Sequence, residues 1–271
     1  KGVLVKNKFL FTNTYEYMLI YRLLKNGTEV QSGSMSVDIP PLSEKYIPLP
    51  IQTDDSAEYI VDVSFVLKDD LPWAKKGFEI AFGQGIAGSY KFDIDDKPLQ
   101  MIDGDVNISV KTESLRAMFS KDSKTLNSIN IMGKEILKTP IRPDFWRAPT
   151  DNDLGNNSTF NWAIWKIASL YSRGKIVSVD DKSKTITAEY VFPAMEGKGC
   201  LLQYQFLGNN LCKITMRMEP ISGLTSLPQF GFTFSLIPEF NKVRYYGRGP
   251  KETYADRKAG GRLGIYESKV D

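Results

Sequence analysis

One stretch of the chain combines the residue types that hold a sugar ring. Residues 142–157 read RPDFWRAPTDNDLGNN. An indole offers a flat apolar face, and guanidinium, carboxylate and amide groups offer donors and acceptors for hydroxyls. Its candidate site residues are Trp146, Arg147, Asp151, Asn152 and Asp153. In a structural interpretation, which the spacing alone favours, the Asp and Asn side chains cap turns and the following helix while Arg147 pairs with an Asp. The composition predicts an ordered loop or a chain of turns.

A second stretch, residues 245–257, reads YYGRGPKETYADR. Its Gly-x-Gly is followed by Pro-Lys-Glu rather than by a helix that opens on a third glycine, so a dinucleotide-binding loop is disfavoured. The candidate site residues are Arg248, Glu252, Asp256 and Arg257. The structural alternative is a network of salt bridges and hydrogen bonds that fixes this loop, and the spacing favours it.

The sequence singles out no catalytic pair. Histidine is absent from the 271 residues, which excludes a histidine general base, a histidine metal ligand and a Ser-His-Asp triad built from this chain alone. A retaining glycosidase needs two carboxyls about 5 to 5.5 Å apart, one protonated and one ionised. Nothing apolar near Asp151 and Asp153 would separate their protonation states. We therefore predict no catalytic residue, no metal ligand and no cofactor in this chain.

Charge and hydropathy restrict the partners. The chain has 35 Lys and Arg against 32 Asp and Glu, a net charge of +3, and the basic residues are scattered, so we expect no nucleic-acid partner. No run approaches the roughly 20 apolar residues of a membrane helix, so we expect no membrane partner. The start, KGVL, lacks an initiator Met and a signal-peptide pattern, which suggests a piece of something longer.

Period-two alternation dominates the N-terminal third. It predicts about seven short strands without a convincing helix, typical of an immunoglobulin-like β-sandwich over residues 1–93. Asn26-Gly27 is a strong hairpin signal between two of these strands. A polar linker is predicted over residues 94–106, with a second β-rich domain over residues 107–271.

One helix interrupts the second domain. Phe160, Ile164, Ile167 and Tyr171 fall at helical spacing after a predicted cap at residues 156–158. A single helix cannot build a (β/α)₈ barrel, which needs eight alternating units. The predicted fold class is therefore all-β, with one short helix.

The two cysteines are predicted to stay unpaired. Alternating apolar residues place Cys200 and Cys212 on neighbouring strands of a hairpin that turns at Gly208-Asn209-Asn210. The register that keeps both apolar faces inward sets Cys212 opposite Phe206. Because a disulfide needs Cα atoms within about 7 Å, we predict two free, buried thiols.

Both candidate stretches resemble a known family. RAPTDNDLG at 147–155 and YGRGPKETYADR at 246–257 are similar to paired signatures of the C-terminal domain of large bacterial β-galactosidases in glycoside hydrolase family 2. The first ninety residues resemble the immunoglobulin-like domain that precedes it, with VKN at 5–7 and FEIAFGQ at 78–84. The resemblance covers essentially the whole chain, and the two stretches are its most specific part.

The resemblance implies accessory domains of an enzyme that removes terminal β-galactosyl groups with retention. In that family the catalytic glutamates and the magnesium ligands belong to an upstream (β/α)₈ barrel, so upstream domains of the same polypeptide are the expected partner. The galactoside is expected to bind in the parent active site. The resemblance implies a galactose-mutarotase-like supersandwich for residues 107–271, whose loops close over the active-site mouth and whose surfaces join subunits into a homo-oligomer.

The nine candidate residues are expected to form the loop network of that module. Whether they touch sugar or only support the loop stays open. Family C-terminal domains continue beyond the point that corresponds to residue 271, and an aromatic lining the galactose subsite has no counterpart that can be placed here. We therefore expect an incomplete supersandwich with a strand edge that is exposed or covered by a neighbouring molecule.

Two other functions stay open from the sequence. One is a stand-alone carbohydrate-binding or adhesion module that uses the aromatic and Asp/Asn cluster of residues 146–153. The other is a purely structural assembly module. The compartment, bacterial cytoplasm or periplasm, is not decided by the sequence.

Overall fold

The computed structural model describes residues 1–94, 97–208 and 211–270. The chain divides into two compact units. The first comprises Lys1–Phe92 together with the chain from Asn241 onward, and the second comprises Asp93–Phe240. Within the described ranges, no helix has the length and apolar character needed to cross a membrane.

Six strands form the N-terminal part of the first unit, one fewer than predicted. They are β1 (Gly2–Lys6), β2 (Tyr17–Lys25), β3 (Thr28–Ser36), β4 (Glu44–Pro48), β5 (Tyr59–Leu67) and β6 (Glu79–Ala87). Four strands form an antiparallel sheet in the order β3-β2-β5-β6, and β1 pairs with β4. Asn26 and Gly27 turn the β2–β3 hairpin with positive φ angles of 50° and 81°, as the sequence predicts.

The two sheets enclose one apolar core. Leu19, Tyr21 and Leu23 alternate along β2 and are buried against residues of the smaller sheet such as Ile47. Val3 and Val5 of β1 pack on the same core from their half-buried positions. This two-sheet arrangement confirms the predicted β-sandwich, because alternate residues of each strand face the partner sheet.

Eleven described strands build the second unit. They are β7 (Gln100–Asp103), β8 (Asn107–Lys111), β9 (Leu115–Ser120), β10 (Thr125–Ile131), β11 (Lys134–Glu135), β12 (Leu137–Asp144), β13 (Arg173–Asp180), β14 (Thr185–Val191), β15 (Gly199–Leu207), β16 (Leu211–Arg217) and β17 (Gly231–Leu236). The sheet orders are β11-β10-β9-β8-β7, β12-β17 and β13-β14-β15-β16. Phe119 of β9 and Tyr204 of β15 meet in the shared core with ring centroids 5.5 Å apart.

Three short helices replace the single one predicted. They are α1 (Asp151–Gly155), α2 (Ser158–Asn161) and α3 (Ala163–Tyr171). The helix predicted over residues 160–171 is present as the end of α2 and the whole of α3, interrupted at Trp162, whereas the stretch predicted as loop contains α1. Asn157 has a left-handed φ of 57°, which separates α1 from α2.

The cysteine hairpin has the predicted register. Phe206 of β15 lies opposite Cys212 of β16, and both cysteines are free. Cys200 is buried as predicted, whereas Cys212 is only partly buried because β16 is the edge strand of its sheet. The predicted turn at Asn209 and Asn210 lies outside the described residues.

The last hairpin packs with the first unit. Strands β18 (Lys242–Gly249) and β19 (Arg262–Lys269) form an antiparallel pair that encloses the loop of residues 250–261. The sequence assigns residues 241–271 to the second domain, but here the hairpin contacts the β2-β3-β5-β6 sheet through the side chains described below. The compact units therefore depart from the predicted boundaries at the C-terminal side.

Candidate functional site

An ion pair organises the first candidate stretch. Arg147 donates from Nη1 to Asp153 Oδ2 at 2.6 Å and from Nη2 to Oδ1 at 3.2 Å. Both side chains are mostly buried, with exposed fractions of 18% and 10%. Arg147 also donates from Nε to the carbonyl of Pro228 at 3.0 Å, which ties the stretch to the segment before β17. The arrangement is bidentate and directional, as expected of a guanidinium that fixes backbone geometry.

Asp153 also starts helix α1. Its Oδ2 accepts from the backbone N–H of Thr150 at 2.7 Å, and its own N–H donates to Thr150 Oγ1 at 3.4 Å, which completes a capping box. The Arg147 hydrogen bonds and the Thr150 backbone hydrogen bond lower the pKa of Asp153 from 3.8 to about 2. Asp153 is therefore ionised at neutral pH and fully engaged, so it cannot serve as a proton donor.

The aromatic residues of this region mainly support the loop. Phe145 is fully buried, and Trp165 of α3 packs against it with ring centroids 5.8 Å apart. The guanidinium of Arg147 lies over the ring of Trp162 at 5.4 Å. Trp146 is half-buried, and Lys166 Nζ lies 5.4 Å from its ring centroid. Of these rings, only the predicted Trp146 belongs to the candidate set.

Asp151 and Asn152 point away from this network. Both are exposed on the first turn of α1, and neither side chain has a hydrogen bond or ion pair among the described residues. Asp151 presents a carboxylate to solvent and Asn152 presents an amide, both next to the rigid Arg147–Asp153 pair. The structure therefore splits the first candidate set into an engaged pair, Arg147 and Asp153, and an outward-facing pair.

The second candidate stretch is mostly exposed. Arg248 at the end of β18 donates from Nη1 to the carbonyl of Gly261 at 3.0 Å, which closes the loop. Glu252, Asp256 and Arg257 are exposed, and in the described part of the chain their side chains make no hydrogen bond or ion pair. Among the described residues, the salt bridges predicted for this stretch do not form, and backbone hydrogen bonds such as that from Arg257 N–H to the Tyr254 carbonyl at 2.9 Å hold the loop internally. The two candidate stretches also fall in different compact units.

A charge cluster that the sequence did not single out holds the second hairpin. Asp62 of β5 is only 2% exposed and pairs with Arg22 of β2. Arg262 at the start of β19 reaches Asp62 Oδ1 with Nε at 3.5 Å and also contacts Glu79 of β6. Its guanidinium lies 3.9 Å from the ring centroid of Phe82. Arg262 and Asp62 are 200 positions apart in the sequence and carry no spacing signal, so only the fold reveals this cluster.

Two further contacts attach the hairpin. Gln84 of β6 accepts from the N–H of Leu263 at 2.8 Å and donates to its carbonyl at 3.1 Å. Tyr246 of β18 donates its hydroxyl to Glu58, and burial, followed by this hydrogen bond, raises the pKa of Tyr246. These side chains position the ends of the loop that carries Glu252 and Asp256.

The described carboxyl groups whose pKa is altered do not have the raised pKa that a general acid needs. Where the described carboxyl groups have a pKa that departs from its usual value, that value is lowered; the groups are Asp54, Asp70, Glu135, Asp153, Asp180 and Glu239. A retaining glycosidase keeps its acid protonated by a raised pKa. The lowered pKa values fit carboxylates that accept hydrogen bonds and form ion pairs in the fold.

Comparison with known sequences identifies the family. The family described as "Beta galactosidase small chain" matches residues 111–271, more than half of the chain, and includes both candidate stretches. The chain belongs to this family. The N-terminal sandwich matches a second β-galactosidase family, "Beta-galactosidase, domain 4", over residues 3–86. Asp62, Glu79 and Gln84 lie in the domain 4 match, whereas Arg262 and Leu263 lie in the small-chain match. The hairpin contacts therefore join the two matched regions within the first compact unit.

Curated relatives match this chain along nearly its whole length. It is 37% identical to a β-galactosidase of Clostridium acetobutylicum over 99% of this chain and 30% of that protein. It is 34% identical to a β-galactosidase of Halalkalibacterium halodurans over 100% of this chain and 28% of that protein. A β-galactosidase of Kluyveromyces lactis is 28% identical over 95% of this chain and 26% of that protein. The chain thus spans about 30% of the length of these curated relatives.

Proposed function

We propose that this chain is the C-terminal accessory part of a β-galactosidase that hydrolyses terminal β-D-galactosyl residues with retention. The observation that carries the proposal is the match along the whole chain to β-galactosidases of which it covers 30% or less. In this proposal the nucleophile and the acid/base belong to upstream domains of the same polypeptide. The present chain shapes the mouth of the active site and takes part in subunit assembly.

The first candidate stretch supplies a rigid base for that role. Arg147 and Asp153 neutralise each other's charge and hold the turn before α1. Their charged groups are therefore already engaged within the fold. Asp151, Asn152 and the exposed part of Trp146 remain available on the outside. We infer that these three face the galactoside or the neighbouring catalytic domain, because carboxylate, amide and indole groups together suit a hydroxylated ring.

The second stretch is proposed to act at the end of the attached hairpin. Arg248 closes the loop, while Glu252, Asp256 and Arg257 project from it and are free to contact an adjoining domain or subunit. A homo-oligomer is part of this proposal. Magnesium, which the family resemblance implies, is proposed to bind in the parent's barrel.

The test exchanges this chain for the matched segment of the Clostridium acetobutylicum relative. Three proteins are compared for hydrolysis of a nitrophenyl β-galactoside: the intact relative, the relative without the segment, and the relative with this chain in its place. The proposal predicts activity in the first and third proteins and none in the second. Full activity after deletion, or an inactive chimera whose circular dichroism and oligomeric state equal those of the intact relative, contradicts it.

Variants in the chimera separate substrate contact from assembly. Replacing Asp151 and Asn152 together by Ala is expected to raise KM for the galactoside while the oligomeric state is unchanged. Asp122→Ala, another exposed carboxylate of the same unit, is the matched control. An unchanged KM with altered sedimentation would instead indicate a purely structural role for these two residues.

A further inference from the structure

Other contacts take over from strand pairing where β12 ends. The register of β12 with β17 stops at Asp144. In the residues that follow, Phe145 packs against Phe230 with ring centroids 6.1 Å apart, and Arg147 donates to the carbonyl of Pro228 at 3.0 Å. The segment before β17 therefore fastens these residues without forming a strand with them.

Gln229 belongs to the same segment and reaches the backbone of Trp146 through a carboxylate. Its Nε2 donates to Asp144 Oδ2 at 3.2 Å. The other carboxylate oxygen, Asp144 Oδ1, accepts from the N–H of Trp146 at 3.1 Å. All three residues are half-buried, so water competes less for these hydrogen bonds than it would on an open surface. Asp144 thus links a side-chain amide of one segment to the peptide of another.

The indole of Trp146 depends on this backbone for its direction. Lys166 Nζ lies 5.4 Å from the ring centroid, but Lys166 is exposed, and an exposed cation–π contact is weak. The backbone is held more firmly, because the N–H of Phe145 donates to Ser169 Oγ at 2.8 Å and the N–H of Trp146 donates to Asp144. Release of Asp144 would therefore free the peptide from which the indole projects.

We propose that Gln229 is a positioning residue for the indole that faces the galactoside. It holds Asp144, which fixes the backbone of Trp146, and Gln229 itself touches no substrate. The inference rests on the proposed function, in which Trp146 faces the sugar. A ring that is already in place loses less conformational entropy on binding, so the galactoside binds more tightly. The effect falls on KM rather than on kcat, because the indole takes no part in the bond-breaking step.

Fluorine NMR of the whole 271-residue chain, labelled with 5-fluorotryptophan, tests the link to Trp146 directly. Trp146→Phe identifies the Trp146 resonance by its loss. Gln229→Met nearly keeps the length of the side chain but removes the donor, and it should shift or broaden that resonance. The resonance of Trp73, which lies in the other compact unit, should stay unchanged. An unchanged Trp146 resonance in Gln229→Met overturns the inference.

The matched control is another half-buried glutamine of the same unit. Gln205 donates from Nε2 to the carbonyl of Ser183 at 3.4 Å. Gln205→Met should leave the resonance of Trp146 where it is in the wild-type chain. A shift of equal size in both methionine variants contradicts a specific link from Gln229.

Replacing Gln229 by Glu gives a readout that depends on pH. Near neutral pH a second carboxylate repels Asp144, so the Trp146 resonance should be displaced. Two neighbouring carboxylates raise the pKa of one of them, and the protonated form can donate as the amide did. The resonance should therefore return towards its wild-type position as the pH falls to about 5. A displacement that persists at this pH contradicts the hydrogen-bond link.

Kinetics of the chimera with the Clostridium acetobutylicum relative test the effect on affinity. Gln229→Met should raise KM for the nitrophenyl galactoside about threefold, the cost of one hydrogen bond, with kcat unchanged. Because Gln229 acts through the indole, Gln229→Met should raise KM no further when Trp146→Ala is already present. Equal increases in KM with and without the indole overturn the inference.

Failure of the proposed function gives a different pattern. An inactive chimera with a native fold contradicts the proposed function, and the effect of Gln229 on affinity falls with it. If the chimera is active but Gln229→Met leaves KM unchanged while the Trp146 resonance moves, the inference is overturned and the proposed function stands.

Discussion

Gln84 holds the backbone of Leu263 through both ends of its side-chain amide. The carbonyl oxygen of the amide accepts from the Leu263 N–H at 2.8 Å, and its NH₂ group donates to the Leu263 carbonyl at 3.1 Å. A side chain of β6 thereby satisfies the outward-facing backbone groups at one point on the edge of β19. An edge strand has unpaired backbone groups, and this contact pairs two of them, the N–H and the carbonyl of Leu263.

Replacing Gln84 should loosen the edge of β19. Gln84→Ala removes two hydrogen bonds, each worth about 1 kcal/mol, and Gln84→Glu retains an acceptor but cannot donate to the Leu263 carbonyl. We expect faster amide hydrogen exchange at Leu263 in both variants. Gln31→Ala, which removes a side-chain hydrogen bond to the carbonyl of Pro50 elsewhere in the unit, is the control. Unchanged exchange at Leu263 in Gln84→Ala would mean that the amide does not hold the strand.

Arg262 should contribute far more to stability than another arginine of the same hairpin. Arg262→Gln leaves the buried Asp62 with only Arg22, and breaking a largely buried pair costs about 2 to 4 kcal/mol. Arg244→Gln removes a pair with exposed Glu267 and should cost less than about 1 kcal/mol. Urea unfolding measures the loss of stability in both variants, and amide hydrogen exchange in β5 and β19 shows whether the loss is located there. Equal effects of the two substitutions would show that the buried cluster does not fasten the hairpin.

The stability of the second unit should depend on pH through Asp153. Its pKa is about 2 in the folded chain and 3.8 ordinarily, so the ionised form stabilises the folded state. That contribution is complete above about pH 5 and disappears as the pH falls towards 2. Asp153→Asn should therefore lower the midpoint of thermal unfolding at pH 7, by an amount that shrinks on acidification.

Asp151→Asn is the matched control for this pH dependence. Asp151 lies on the same helical turn but is exposed and outside the Arg147 pair, so its replacement should move the midpoint little at any pH. If Asp153→Asn lowers the midpoint of thermal unfolding by the same amount at pH 7 and at pH 2, the assigned role of the carboxylate is contradicted.

Both thiols should be inert in the folded chain. Burial raises the pKa of Cys200 and of Cys212 to about 12, and only the thiolate reacts readily with disulfide reagents. At pH 8 we expect labelling at least about a hundredfold slower than for a free thiol. After unfolding in guanidinium chloride, both thiols should react. Rapid labelling of one thiol in the native chain would indicate an exposed or activated cysteine.

Local patterns predicted the strands and the cysteine hairpin. The alternation of apolar residues placed Phe206 opposite Cys212, because a shift of one residue would turn every side chain of the strand to the other face. Asn26-Gly27 predicted the first hairpin because both residues tolerate the positive φ angles that a two-residue hairpin turn requires. Helix α1 was missed because its Asp and Asn residues suggested turns. The signal that identifies it is Thr150 followed three residues later by Asp153, a capping box with Asp in place of the usual Glu.

The position of the second candidate stretch could not be predicted. Alternation along β19 shows which side chains share a face but not which distant strand they meet. The contact of Arg262 with Asp62 joins residues 200 positions apart, and neither residue stands out by type or spacing. The pairing of Arg147 with Asp153 was foreseeable as the structural interpretation, because the two residues are close in the chain.

The most direct test of the account is galactoside turnover by the purified 271-residue chain alone. Asp153 is held ionised by Arg147, and we propose that the catalytic acid and nucleophile belong to upstream domains, so we expect this chain to hydrolyse no nitrophenyl β-galactoside above the rate in buffer. Measurable hydrolysis that disappears when one carboxylate of this chain is replaced by its amide would contradict the account.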